Sequence, residues 1–169
     1  MAKRKSVQAL RPHKSGGHDH ERCVTRALDA AGRLTAEQGI RLTPLRRRVL
    51  EIVSQSHRPM GAYDILATLS KERAAAGERA APPTVYRALE FLMSARLVHR
   101  IDSLNAFVAC FTPLHDHKSY FLLCERCGVA AEIEDGLLHK LLDETARRAG
   151  FAARRETVEL RGTCSACRG

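Results

Sequence analysis

Apolar positions recur at helical spacing through the first half of the chain and alternate, or run in short blocks, through the second. In "ERCVTRALDAAGRLTAEQ", residues 21–38, Val24, Ala27, Leu28, Ala31 and Leu34 share one helical face, and Gly39 supplies a stop. In "RLTPLRRRVLEIVSQS", Thr43 is a helix cap and Pro44 a first helical residue, with Leu45, Val49, Leu50 and Val53 on the buried side. A third helix fits "GAYDILATLSKERAAA" through Ile65, Leu66 and Leu69. "GERAAPP" reads as a loop, and "TVYRALEFLMSARL" as a fourth helix with Val85, Leu89, Leu92 and Met93 inward.

The period changes after Leu97. "LVHRI", "DSLN" and "AFVAC" read as strand, turn and strand, a short antiparallel hairpin. With Ser103 and Leu104 in the turn, His99 faces Val108 and Cys110 follows on the same side. "SYFLLC" and "VAAEIE" are strand-like, "DGLLHKLLDETARRAG" is an amphipathic helix, and "ARRETVELRGTC" is a last strand. Three helices and a hairpin are the order of a winged helix-turn-helix. The expected fold is therefore α+β: a flexible basic arm over 1–20, a winged-helix DNA-binding domain over 21–110, a hinge over 111–117, and a small α/β domain over 118–169.

Composition narrows the class. No apolar run approaches the roughly 18 residues of a membrane span. The N-terminal stretch is basic but has no apolar core of the kind a secretory signal carries, so a cytoplasmic address is expected. The formal charge of +9 fits a polyanionic partner, although Lys3, Arg4, Lys5, Arg11 and Lys14 put five of those charges in the arm. A winged helix of this kind lays its fourth helix in the major groove of double-stranded DNA. Thr84, Tyr86 and Arg87 are then expected to project from the first turn, with Arg87 reaching guanine edges. Arg46, Arg47 and Arg48 are candidates for backbone contacts, although a lone charged helix face is usually only solvated.

Four of the six cysteines form two pairs, Cys124-x2-Cys127 and Cys164-x2-Cys167. In a reducing compartment that spacing favours metal over disulfides, and four thiolates suit tetrahedral zinc. The 36 residues between the pairs are no obstacle, since each doubling of a loop costs only about 0.6 kcal/mol. The expected site is structural. A second candidate set gathers His99, Cys110, His115, His117 and Glu132. Two neutral histidines, one thiolate and one carboxylate give a formally neutral zinc site, more exchangeable than four thiolates. His18, His20 and Cys23 form a further "HDHERC" cluster, read either as an extra metal site or as arm residues without function. A zinc deaminase is excluded by motif: "LHDHK" lacks the needed Glu and neither CxxC follows Pro. No enzyme activity and no small-molecule substrate are expected. A zinc carrier that does not bind DNA is the competing class, separated by a salt-dependent gel shift.

"GAYDIL", "PPTVYRALEFL", "LVHRIDSLNAFVAC", "FLLCERCG" and the second CxxC resemble the ferric uptake regulator family over about residues 21–167, and its zinc-sensing branch in particular. The resemblance implies a zinc-dependent homodimeric repressor of zinc-uptake genes acting at A/T-rich palindromic operators. It implies two zinc ions per subunit, a structural one at Cys124, Cys127, Cys164 and Cys167 and a regulatory one at His99, Cys110, His117 and Glu132. Tyr63 and Arg87 match its DNA contacts. The loop after Cys110 is about one residue shorter than in the branch, which leaves His115 as an alternative to His117. His117 keeps the branch's seven-position distance to Cys124. Iron, manganese, nickel or peroxide sensing are the alternatives within the family.

Overall fold

The computed structural model describes residues 8–9, 20–37, 39–74, 81–110, 112–113 and 118–169. The chain forms two compact units, one of residues 13–115 and one of residues 1–12 together with 116–169. A two-residue strand, β1 (Gln8–Ala9), belongs to the second.

The first unit carries α1 (His20–Glu37), α2 (Pro44–Ser54), β2 (Met60–Gly61), α3 (Ala62–Ala74), α4 (Pro82–Ser94), β3 (Val98–Ile101) and β4 (Ala106–Ala109). At the start of α2, Thr43 is extended and its Oγ1 accepts the Arg46 amide at 3.4 Å. Gly39, at φ +63°, ends the α1 region in a conformation only glycine takes without strain. Val49, Leu50 and Val53 from α2 are buried as expected, and Ile52 joins them. They pack with Ile65, Leu69, Val85, Leu89 and Leu92 into one aliphatic core.

Two features depart from the pattern-based reading. The helix α4 begins at Pro82, not Thr84, because Pro82 and Pro83 sit in the first turn, where a missing N–H breaks no hydrogen bond. It closes after Ser94 through Leu97 N–H to Leu92 O at 2.8 Å, with Arg96 left-handed at φ 57° at a cost of roughly 1–2 kcal/mol. The expected two-stranded wing is three-stranded, in the order β2-β4-β3, because Met60 and Gly61 pair with Phe107 and Ala106. The hairpin register is as read: His99 faces Val108. Its tip is a 3-10 turn over Asp102–Leu104 closed by left-handed Asn105, whose Oδ1 accepts from Arg100 Nη2 at 2.9 Å.

The second unit holds β5 (Tyr120–Cys124), β6 (Ala130–Glu134), α5 (Gly136–Arg148), β7 (Glu159–Gly162) and the short α6 (Ser165–Arg168). Its sheet runs β1-β6-β5-β7, with β5 and β7 parallel. A parallel pair needs a long crossover, and α5 provides it. Asp135 Oδ1 caps α5 by accepting the Leu137 and Leu138 amides at 2.8 and 3.2 Å. The last strand is shorter than its sequence pattern, and β1 lies in a segment expected to be a flexible arm. No residue of α5 is buried, and Leu137 (71%), Leu141 (61%) and Leu160 (55%) stay exposed.

Candidate metal centres and nucleic-acid interface

The four cysteine sulfurs of the two CxxC pairs lie within 4.8 Å of one another. Cys124 ends β5, and a tight turn sends the chain back, with Gly128 N–H to Cys124 O at 2.8 Å and Gly128 at φ +72°. The second pair arrives from β7, whose Gly162 carbonyl accepts the Glu125 amide at 2.8 Å. Cys164 then caps α6, and the Arg126 guanidinium donates to the Cys167 carbonyl. Cys127 Sγ and Cys164 Sγ are 3.8 Å apart. Four sulfurs about 2.3 Å from one tetrahedral ion are separated by edges of about 3.8 Å, so the geometry fits zinc.

The thiols are electrostatically unequal. The Cys164 amide, then the Cys127 amide, donate to Cys124 and lower its pKa to about 6. The Cys164 thiol, then burial, push Cys167 up to about 12. Sulfur crowded on sulfur disfavours a second and third thiolate until a dication balances them.

His99 and Cys110 stand on the wing of the first unit. A ring nitrogen of His99 and Cys110 Sγ lie within 4.8 Å of each other. Cys110 is buried, and its amide donates to the Leu97 carbonyl at 3.0 Å. Glu132 belongs to β6 in the second unit and is 1% exposed. Its Oε1 accepts from Ser119 Oγ at 2.5 Å. Ser119 was not singled out from the sequence; the signal available there was that a buried carboxylate needs a donor. His115 and His117 lie outside the described residues, as do the side chains of His18, His20 and Cys23.

On α4, Thr84 is half-buried, and Tyr86 and Arg87 are exposed. Because the helix starts at Pro82, Tyr86 and Arg87 project from its second turn, a correction to their expected place in the first. Tyr63, 71% exposed, is the second residue of α3. The three arginines of α2 have partners of their own. Arg46 lies 3.6 Å from the Phe91 ring centroid and donates to the Arg41 carbonyl. Arg47 Nε pairs with Glu51 at 3.2 Å. Arg48 forks onto Glu72 at 2.8 and 2.6 Å and reaches Glu51 at 2.7 Å. These contacts, Glu72 first, raise the Arg48 pKa.

Helices, wing and sulfur cluster together define a winged-helix protein with a built metal centre. Residues 37–161 match the Ferric uptake regulator family, and the chain belongs to that family. It is 38% identical over 156 residues to the zinc uptake regulation protein of Escherichia coli K12, covering 87% of this chain and 85% of that one. The zinc uptake regulation protein of Mycobacterium tuberculosis is 32% identical over 92 residues, 54% of this chain and 70% of that one. Among solved structures, a zinc uptake regulator complexed with zinc and DNA superposes with TM-score 0.76 at 34% identity, covering 89% of this chain and 96% of that one. The holo XcZur crystal structure gives 0.75 at 39% identity, covering 86% and 98%.

Proposed function

We propose that this chain is a zinc-responsive transcriptional repressor that, as a zinc-loaded homodimer, binds palindromic operators and represses zinc-uptake genes in the cytoplasm. The observation that carries the reading is the placement of a paired imidazole and thiol, His99 and Cys110, on the wing that follows the exposed residues of α4. The similarity to zinc uptake regulators, one of them solved with zinc and DNA, supports it. Exposed Leu137, Leu141 and Leu160 support a partner copy, since a lone protomer leaves that apolar surface in water.

Two ions per subunit are assigned. The first is structural, at Cys124, Cys127, Cys164 and Cys167. The second is regulatory, at His99, Cys110, His117 and Glu132, with His115 as the alternative to His117. Bound there, zinc would supply the dication that balances these thiolates and the carboxylate. Because the regulatory ligands come from both units, its binding favours the arrangement that presents all four, and a ligand shifts an equilibrium only through such a preference. Arg87 then reads base edges, with Thr84 and Tyr86 on phosphates or a thymine methyl and Tyr63 as a further DNA contact.

The test is metal analysis of protein purified without added metal, followed by operator binding under buffered zinc, iron(II), manganese and nickel. Two zinc ions per subunit and binding that follows zinc alone are expected. Binding that follows iron or manganese instead moves the chain to another branch of the family. Zinc content without operator binding makes it a carrier.

A further inference from the structure

The strand that carries Glu132 is paired along both edges. On one side β5 sets Phe121 opposite Glu132 and Tyr120 opposite Ile133. On the other, β1 sets Ala9 opposite Ile133 and Gln8 opposite Glu134. Ile133 is thus held from both sides, and Glu132 is the next residue. Without β1, β6 is an edge strand with a row of unsatisfied backbone groups, and such edges open most easily. Glu132 is also almost wholly buried with its carboxylate on Ser119, so its aim depends on the β6 backbone.

We infer that residues 8–9 are a strap: by pairing along β6 they hold Glu132 in position, so the N-terminal segment tunes the affinity of the regulatory zinc site. The inference rests on Glu132 being a regulatory ligand. Residues that orient metal ligands from outside typically cost 10–100-fold in affinity when lost. A two-residue strand lies at the low end, so about tenfold is expected. A pairing this short also opens readily, which makes it adjustable by whatever binds the segment.

The test uses the full-length, zinc-loaded protein and the double variant Gln8→Pro/Ala9→Pro, which removes both strap N–H groups, with Gln8→Ala as a control that keeps them. Hydrogen exchange reads the Glu134 amide, on the β1 side of β6, against the Ile133 amide on the β5 side, and competition with a chromophoric chelator reads zinc affinity. The proline variant is expected to expose the Glu134 amide and weaken the more exchangeable zinc about tenfold, while Gln8→Ala does neither. Unchanged amide protection overturns the strap. Lost protection with unchanged zinc affinity overturns its coupling to Glu132. Glu132→Ala separates the two readings: zinc binding unaltered by it removes the ligand assignment, while the exchange result still judges the strap.

Discussion

The Cys110 amide donates to the Leu97 carbonyl at 3.0 Å, one rung beyond the last residue of β4. The wing ladder therefore extends to Cys110, and its sulfur is aimed by sheet geometry instead of by a loop. Serine fits that backbone and keeps its hydrogen bond but loses the thiolate. Cys110→Ser and His99→Ala are expected to abolish zinc-responsive operator binding while the four-cysteine zinc stays bound and circular dichroism stays native. Operator affinity against buffered zinc checks this. A zinc response surviving in both variants places the switch elsewhere, around His115.

Removing a ligand from the other centre has a different effect. Zinc held by such sites is worth roughly 10–16 kcal/mol in zinc-finger peptides, and here it would join the β5–β6 turn to the residues after β7. Cys124→Ser or Cys164→Ser is expected to unfold the second unit and to lose dimerisation and DNA binding together. Sedimentation and thermal melts of the variants decide it. A cooperatively folded, zinc-free dimer of normal stability would falsify the structural assignment.

Arg87→Ala is expected to weaken specific operator binding by about 1–3 kcal/mol and to leave zinc content and dimerisation unchanged. Fluorescence anisotropy on operator and on random duplex separates base reading from phosphate contact. Equal loss on both duplexes makes Arg87 a phosphate contact.

The Arg48–Glu72 pair gives a pH-dependent expectation. Arg48 holds the Glu72 carboxyl below its ordinary value. A depressed carboxylate stabilises the fold above its unfolded pKa, and that stabilisation is lost as pH falls through the folded value. Both side chains are more than a third exposed, so screening limits the pair to about 0.2–1 kcal/mol. Urea unfolding of Glu72→Gln should show that deficit near neutral pH and none at about pH 2. A deficit independent of pH points to packing as its source.

Elements that carry their own signals were legible in the sequence. Thr43 and Pro44 mark a helix start by local chemistry, and the four-residue tip set the His99–Val108 register. The spacing of the CxxC pairs by itself pointed to a sulfur cluster. What escaped depends on distant partners. Met60–Gly61 and Gln8–Ala9 have no alternation to read, and each is a strand only because β4 or β6 offers an open edge. Pro82 and Pro83 looked like loop because proline breaks helix interiors, yet the first turn has no such bond to break. Ser119 stands thirteen positions from Glu132, and only the sheet brings its hydroxyl to that carboxylate.

The parallel β5–β7 pair, with α5 between, also sets an order for biosynthesis. Cys124 and Cys127 emerge from the ribosome together on one turn, while Cys164 and Cys167 follow only after the whole crossover has been made. A nascent chain stalled anywhere in that interval carries only two of the four thiols of this cluster. Capture of zinc at this cluster would thereby wait until the crossover has been translated.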